Sequence, residues 1–290
     1  MLIYVFLCAI FRLSSYTGGI AMYDYHIHSR FSPDSTSRLS AIASYALDSG
    51  LRGICITDHL EFDECYRPDH VLDIDAYAKR IAALRREYPS GPAIGFGIEI
   101  GLKDKASFSR ARAHIKGYED SLDFVIGSVH YTSEGDAYSA DFFKNRTRIE
   151  SYSAYLECAV SRCLSSSDYD VLGHFDYPAK CAPYTNRAMR YSDNPWAFDR
   201  IFKHLIDNGI GLEINTSVYP TQKEMLWGKD ILKRFVALGG EFVTLGSDAH
   251  IVSKVGWRSK DALLLAQAAG VPYLATFHKR RPTMHRLTGI

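Results

Sequence analysis

Several features that would place this 290-residue chain in a well-known class of proteins are missing from it. A formal net charge of +1 gives no electrostatic reason to expect a nucleic acid as partner. The six cysteines form no C-x-x-C pair and no spacing typical of a small secreted scaffold, which favours free thiols in a reducing cytoplasm. The chain also has no P-loop, nucleophile elbow or catalytic-cysteine signature. We therefore expect a cytoplasmic protein whose chemistry depends on other residues.

The chain also has no apolar run that is long enough to cross a bilayer, which takes about 20 residues. One stretch, residues 1–11, has the apolar character of a targeting segment, but no basic residue precedes it and Arg12 follows it. Because Met22 directly precedes the first predicted strand, we predict that residues 1–21 are upstream sequence from a start codon placed too early; a genuine leader is the alternative. Residues 22–290 are predicted to form a single domain, and no membrane is expected as partner.

What the chain has instead is a regular alternation of short apolar runs with amphipathic segments of helical length. The apolar runs are nearly continuous and rich in β-branched or aromatic residues, which is typical of parallel strands buried on both faces. The predicted strands are Tyr23–His28, Gly53–His59, Ile94–Leu102, Phe124–Tyr131, Val171–Asp176, Gly211–Ser217 and Phe242–His250. The predicted helices are Ser37–Asp48, Ile74–Glu87, Asp104–Glu119, Thr147–Ser166, Asn194–Asn208, Lys223–Leu238 and Ser259–Ala269. A further strand is predicted at Tyr273–Phe277, followed by a surface tail.

Seven successive strand–helix units predict a parallel sheet that is either open or closed into a barrel. Every predicted strand has polar or ionisable residues at its carboxyl end. An open sheet concentrates its site at one switch point, whereas a barrel brings all the strand ends into one ring. The sequence therefore predicts an α/β fold with a TIM-like barrel.

Histidine and carboxylate residues recur at these carboxyl ends. They are His26 and His28, Asp58 and His59, Glu99, His130, His174 and Asp176, Glu213, and Asp248 and His250. Such residues are ligands of borderline divalent ions such as zinc, manganese and iron. In H-x-H both side chains point the same way because a strand repeats every two residues, and the same geometry is expected for S-D-A-H. One motif alone is weak evidence, but a whole cluster of imidazoles and carboxylates is unfavourable unless paired or metal-bound, so the set predicts a metal site.

Two groups of ionisable residues are expected to lie outside this site. The acidic segment 61–64, which follows T-D-H, is expected to be solvated. The remaining histidines lie in predicted loops, helices or the tail and are expected to be structural or on the surface: His70, His114, His204, His278 and His285.

The motifs, taken in order, resemble those of the PHP (polymerase and histidinol phosphatase) superfamily over nearly the whole chain after Met22. H-x-H at His26–His28, T-D-H at Asp58–His59 and G-x-E-x-G at Glu99 are followed by S-V-H-Y, G-H-x-D, L-E-I-N-T-S and G-S-D-A-H. The last two motifs, with R-R-P near the C-terminus, are most similar to the stand-alone histidinol-phosphate phosphatases.

The resemblance implies a distorted (β/α)7 barrel of the PHP type that binds two or three divalent ions, which would be zinc, manganese or iron. The implied ligands are His26, His28, Glu99 and Asp248 for the first ion, Glu99, His130 and His174 for the second, and Asp34, His59 and His250 for the third. Many relatives have a histidine at the position of Asp34, which puts the affinity of the third site in doubt.

Ions held close together lower the pKa of a bound water and stabilise charge on a phosphoryl group, which predicts hydrolysis of a phosphomonoester. Asp248 or His250 is the candidate catalytic residue that protonates the leaving alkoxide. Cationic residues in the loops that follow the strands are candidates for binding the substrate. They are Arg30, Arg187, Arg190 and Lys254, with Lys180 as a further cation in the same loops. Arg187 and Arg190 are favoured because their loop is long and follows G-H-x-D.

The leading interpretation of the substrate is a small molecule, L-histidinol phosphate, hydrolysed in histidine biosynthesis. One alternative keeps the site but changes the substrate to a nucleotide, a nucleic-acid end or a phosphotyrosine protein. The near-neutral charge disfavours a polynucleotide, because binding to a phosphate backbone relies on clustered lysine and arginine. A second alternative is a metal-stabilised binding module without turnover. The sequence leaves the oligomeric state open.

Overall fold

The computed structural model describes residues 21–62 and 70–287 of the chain. Its strands are β1 (Tyr23–Ile27), β2 (Gly53–Leu60), β3 (Ala93–Gly101), β4 (Phe124–Ser128), β5 (Tyr131–Thr132), β6 (Gly135–Asp136), β7 (Val171–Leu172), β8 (Gly211–Asn215), β9 (Phe242–Gly246), β10 (Tyr273–His278) and β11 (Arg281–Arg286). Its helices are α1 (Leu39–Asp48), α2 (Ile74–Glu87), α3 (Lys105–His114), α4 (Arg148–Cys163), α5 (Pro195–Asp207), α6 (Lys229–Ala237) and α7 (Ser259–Ala269). The predictions for residues 1–20 and 63–64 lie outside the described residues.

The predicted α/β fold with a mainly parallel sheet is confirmed. Eight parallel strands follow one another in chain order across the described sheet, and these are β1, β2, β3, β4, β7, β8, β9 and β10. β1 also contacts the chain just after β9, where Asp248 N donates to His26 O at 2.7 Å and His28 N donates to Ala249 O at 3.0 Å. These two hydrogen bonds join the first and the seventh parallel strand at their carboxyl ends, as a barrel requires.

Four of the described helices, α2, α3, α4 and α5, follow a residue whose side chain caps their first turn. The side chain of Asp73 accepts a hydrogen bond from Ala76 N at the start of α2, and Thr147 forms a capping box with Glu150 at the start of α4. The helix predicted at Lys223–Leu238 is shorter than expected, because Gly228 has a left-handed φ of 91° and α6 begins only after it. No helix in the described ranges is long and apolar enough to span a membrane.

The amino end of the barrel is filled by an apolar cluster to which β10 contributes. The Phe277 ring of β10 lies 4.8 Å from the ring of Phe124 and 6.1 Å from that of Phe242. Tyr25 of β1 packs edge-on against Phe124 at 5.3 Å. Because apolar rings occupy this end, the histidines and carboxylates of the interior lie at the opposite, carboxyl end.

The segment after β10 is mostly exposed, as predicted for a surface tail, but it forms a strand and not an irregular tail. β11 pairs antiparallel with β10 through a turn in which Lys279 and Arg280 both have positive φ, 50° and 58°. A two-residue hairpin turn requires such angles, and Asn-Gly or Asp-Gly usually supplies them. Lysine and arginine do not favour positive φ, so the sequence did not indicate a hairpin turn here. Most of β11 is exposed, so its sequence also lacks the alternation that marks a half-buried strand.

Several predicted strands extended too far into the following loops. β7 ends at Leu172 and β9 at Gly246, so His174, Asp248 and His250 lie in loops. Asp248 has a φ of 53°, which is left-handed and not extended. The prediction that S-D-A-H continues a strand was therefore wrong, although a tight turn still brings Asp248 and His250 together.

Candidate metal centre

The predicted ligands all lie together at the carboxyl end of the sheet, in six of its strands or in the loops that follow them. His26 and His28 come from the end of β1, and His59 and Glu99 belong to β2 and β3. The remaining ligands lie in the loops that follow β1, β4, β7 and β9, and these are Asp34, His130, His174, Asp248 and His250. The barrel thus converts a series of distant motifs into one cluster.

Glu99 lies at the centre of this cluster and is completely buried. Its Oε1 lies 3.0 Å from His174 Nε2, and 3.4 Å from both His26 Nε2 and His130 Nε2. Its Oε2 lies 2.8 Å from His59 Nδ1. One carboxylate therefore faces imidazoles from four different strand ends, which is the geometry expected of a ligand shared between two metal ions.

On one side of Glu99, His26 and His28 point the same way, as the H-x-H pattern predicts. Their Nε2 atoms are 3.1 Å apart. Asp248 Oδ1 lies 3.2 Å from His28 Nε2 and 3.7 Å from His26 Nε2. These three side chains and Glu99 thus offer nitrogen and oxygen donors to a single point.

Asp34 lies at the outer edge of the cluster. Its Oδ2 is 3.0 Å from His250 Nε2 and 3.4 Å from His59 Nε2, and about half of its side chain is exposed. The His28 ring lies 4.2 Å from the ring of His59 and 4.2 Å from that of His250. This is the ligand arrangement implied for the third ion, with Asp34 as its most accessible member.

The donor set fits divalent ions. Four overlapping groups of three donors have all their ligand atoms within 4.8 Å of one another, and these are His26–His28–Glu99, Glu99–His130–His174, His26–His174–Asp248 and His28–His59–His250. Two pairs of Nε2 atoms face each other, at 3.1 Å and 3.4 Å. Two facing lone pairs repel each other unless a proton or a cation lies between them, and mixed imidazole and carboxylate donors suit zinc, manganese or iron.

The buried charges shift the pKa values of these groups strongly. Burial opposes protonation of His26, but the charges of Glu213 and Glu99 outweigh it and raise the pKa of this imidazole well above its usual value. Burial would raise the pKa of Glu99, but the surrounding imidazoles lower it well below its usual range. For His174, burial and the nearby Lys180 lower the pKa to about 4. Metal ions would compete with protons at such a cluster.

Two buried carboxylates behind the ligands are not among those implied for the three ions, although Glu213 belongs to the set of polar residues predicted at the strand ends. Glu61 was expected to be solvated, which was wrong: it is 2% exposed, and its Oε1 lies 2.8 Å from His130 Nδ1. Glu213 Oε1 lies 2.7 Å from His26 Nδ1. Glu61 follows His59 by two residues, so strand parity was a signal that it faces the same side.

A cavity of about 590 Å³ lies above the cluster. It is lined by six of the predicted ligands and by residues from the surrounding loops, which are Tyr131, Asp136, Tyr138, Tyr177, Lys180, Ser217 and Pro220. Lys180 Nζ contacts the Asp248 carboxylate, and 13% of its side chain is exposed. The cavity thus combines the possible metal ligands, one lysine, several aromatic rings and a separate carboxylate.

None of the four cations that were favoured for substrate binding lines this cavity. Arg187 instead donates to Ala179 O and contacts Glu224 at 2.5 Å. Lys254 Nζ lies 3.2 Å from the centre of the Trp257 ring. The other two are Arg30, which is exposed, and Arg190, whose backbone N–H donates to Asp193. Their role in substrate binding stays a prediction.

Comparisons with known proteins agree with this site. The PHP domain family matches residues 24–217. The histidinol-phosphatase of Lactococcus lactis is 32% identical over 259 residues, covering 88% of this chain and 93% of that protein. The probable histidinol-phosphatase of Clostridium acetobutylicum is 31% identical over 250 residues, covering 85% and 93%. The crystal structure of histidinol phosphate phosphatase from Lactococcus lactis, complexed with zinc, L-histidinol and phosphate, has a TM-score of 0.81 at 31% identity and covers 90% of this chain and 98% of that one. The chain belongs to the PHP domain family.

Proposed function

We propose that this protein is a metal-dependent phosphomonoesterase that hydrolyses L-histidinol phosphate to L-histidinol and phosphate, in histidine biosynthesis. The observation that carries the proposal is the convergence of nine imidazole and carboxylate ligands below one cavity, in a chain that is 32% identical to a histidinol-phosphatase over 88% of its length. The related structure at a TM-score of 0.81 contains zinc, L-histidinol and phosphate.

The ligand cluster would hold two or three divalent ions, which would be zinc, manganese or iron. Glu99 would be shared by two of them, because its Oε1 lies 3.4 Å from both His26 Nε2 and His130 Nε2, which belong to different groups of ligands. When bound, such ions lower the pKa of water and neutralise negative charge on phosphoryl oxygens.

Lys180 is the side chain of this protein that is best placed to pair with the phosphoryl group. Among the described residues that line the cavity, it is the one cation other than the histidines. Its ammonium group lies beside Asp248 and 5.1 Å from the centre of the Tyr177 ring, so it faces the ligand cluster and not the solvent. An ammonium in this position would donate a charge-assisted hydrogen bond to a phosphoryl oxygen.

Of the two candidates Asp248 and His250, His250 is the better source of the proton that the leaving alkoxide needs. Burial opposes protonation of His250, but Asp34 and Asp248 raise the pKa of its imidazole. Burial favours protonation of Asp248, but Lys180 and His26 lower the pKa of its carboxyl well below its usual range.

Asp248 Oδ2 is oriented by Lys180 and by Ser217 Oγ at 3.3 Å. His250 donates through Nδ1 to Asp248 O at 2.9 Å, and 31% of its side chain is exposed towards the cavity mouth. Replacing each by asparagine, and measuring metal content beside turnover, tests the assignment. If Asp248→Asn and His250→Asn both retain metal and full turnover, the assignment is wrong.

The organic part of L-histidinol phosphate carries an ammonium and an imidazole, and the cavity offers a partner for each. Asp136 lines it away from the ligand cluster, and its Oδ1 accepts from Tyr138 N at 2.8 Å and from Tyr177 Oη at 3.4 Å. Tyr138 is 51% exposed, so its ring is free to stack against the substrate. The carboxylate would pair with the ammonium, and the aromatic wall would contact the imidazole.

The test is phosphate release from L-histidinol phosphate by the purified chain supplied with zinc or manganese. Parallel reactions contain p-nitrophenyl phosphate, a nucleoside monophosphate and a phosphotyrosine peptide. We expect a preference for L-histidinol phosphate of at least about a hundredfold in kcat/KM, abolished by a chelator. Comparable slow rates on all four substrates would keep the phosphoesterase and remove the histidinol assignment, and no turnover in the metal-loaded protein would support a binding module.

A further inference from the structure

Two histidines of the cluster each have a buried carboxylate behind them. Glu213 Oε1 lies 2.7 Å from His26 Nδ1, and Glu61 Oε1 lies 2.8 Å from His130 Nδ1. In both rings the opposite nitrogen, Nε2, lies 3.4 Å from the same Oε1 of Glu99. In both cases an outer carboxylate therefore contacts Nδ1 of a histidine whose Nε2 lies near Glu99.

The fold leaves room for these two carboxylates by placing glycine beside them. A Cβ at Gly101 would lie 1.7 Å from Glu61 Oε2, and a Cβ at Gly246 would lie 2.0 Å from Glu213 Oε1. Neither position tolerates a side chain while the glutamate occupies its place. Two strands thus end in a glycine, which lets the glutamate side chain lie close to the backbone. Each glutamate occupies the space that a side chain at the glycine would otherwise fill.

Two other histidines of the cluster have a neutral oxygen beside Nδ1. His28 Nδ1 lies 3.1 Å from Ser32 Oγ, and His250 Nδ1 lies 2.9 Å from Asp248 O. His26 and His130 therefore differ from His28 and His250 in having a carboxylate from outside the ligand set beside Nδ1.

We propose that Glu61 and Glu213 are positioning residues for the pair of metal ions that shares Glu99. Each accepts a hydrogen bond from the Nδ1–H of its histidine, which leaves the lone pair of Nε2 directed at the metal. The negative charge also makes the imidazole a stronger electron donor, and outer partners of this kind contribute about 10–100-fold to metal affinity. The inference rests on the proposed metal-dependent function, but it does not depend on the identity of the substrate.

The test is the zinc affinity of Glu61→Gln and Glu213→Gln, measured by competition with a chromophoric chelator and by counting bound zinc. Glutamine keeps the shape and one acceptor oxygen but removes the charge, so we expect each variant to hold zinc at least about 10-fold more weakly. The matched control is Asp170→Asn, which neutralises a buried carboxylate paired with Arg280 at the other end of the sheet. Its zinc affinity is expected to equal that of the wild type.

Thermal unfolding of the metal-free proteins separates positioning from a general loss of structure. Metal-free glutamine variants should unfold near the wild-type temperature while their zinc affinity falls. If they fold but bind zinc as tightly as the wild type, the proposal is wrong. If they do not fold, Glu61→Asp and Glu213→Asp retain the charge but withdraw it from the ring, and unchanged affinity in both would overturn it. Failure to hydrolyse L-histidinol phosphate would leave these measurements unaffected.

Discussion

The two ends of the sheet both bury acidic side chains, but they neutralise them in different ways. At the amino end, Asp123 contacts the guanidinium of Arg85, and Asp170 lies 3.1 Å from Arg280 Nε. At the carboxyl end, Glu99 lies among imidazoles, and no arginine in the described part of the chain pairs with it. The amino end therefore contains complete ion pairs, whereas at the carboxyl end the central carboxylate, Glu99, has imidazole partners that are neutral unless protonated.

This difference shows which buried acids indicate a metal site. A guanidinium is always charged and binds a carboxylate in a fixed geometry, so an Arg–Asp pair needs no further cation. An imidazole whose pKa has its usual value is mostly neutral above about pH 7, and its ring then has a lone pair that can bind a metal ion. Where imidazoles surround carboxylates, uncompensated negative charge and nitrogen lone pairs therefore occur at the same place. A divalent ion neutralises the charge and accepts the lone pairs.

The largest effect is expected from removing the shared carboxylate at the carboxyl end. Glu99→Gln should lose bound metal and reduce kcat/KM for L-histidinol phosphate by about a thousandfold or more, because the charge that joins two ion positions is gone. Metal analysis and steady-state kinetics measure the two effects. Asp170→Asn, at the amino end, should retain both metal and activity; a comparable loss in this control would remove the contrast between the two ends.

At the amino end, a substitution should instead affect stability alone. Arg280→Met leaves Asp170 without its partner, and breaking a largely buried pair costs about 3 kcal/mol of unfolding free energy. Denaturant unfolding of the metal-free proteins measures this loss. Activity and zinc content at 25 °C should stay at the wild-type level. A fall in turnover without a fall in stability would contradict the view that this end is structural.

The lysine of the cavity allows a narrower comparison. Lys180→Met should reduce kcat/KM about 30-fold, since a charge-assisted hydrogen bond to a phosphoryl oxygen contributes about 2 kcal/mol. Lys254→Met, whose ammonium lies on Trp257 outside the cavity, is the matched control and should change kcat/KM less than about twofold. The reverse order of effects would restore the original prediction that Lys254 binds the substrate.

The smallest effect is expected at the carboxylate that faces the organic part of the substrate. Asp136→Asn should raise KM for L-histidinol phosphate about 10-fold, because the ammonium loses its charged partner. Hydrolysis of p-nitrophenyl phosphate, which has no ammonium, should not change. Equal losses on the two substrates would show that Asp136 acts on the architecture of the site and not on specificity.

The sequence is enough to select most of the candidate metal ligands, because all of them except Asp34 lie at the end of an apolar run or just after it. Asp34 was named only through the resemblance to the PHP superfamily. The end of a strand can be located from the neighbouring residues alone. Parallel strands bring their carboxyl ends to the same edge of the sheet, whatever conformation the connecting loops adopt. The roles of Arg187 and Lys180 could not be ranked in this way. Both follow G-H-x-D, and their difference depends on a contact between Arg187 and Glu224 across 37 residues of chain.

The sequence by itself determined the order of most strands and helices and which imidazoles and carboxylates fall near the strand ends, since apolar periodicity and residue chemistry are local properties. Only the tertiary structure decided that Glu61 turns inward to His130, that Asp248 sits in a left-handed turn, and that β11 completes the sheet. These features depend on the space that neighbouring strands leave, such as the recess at Gly101. That space exists only after distant segments have packed together.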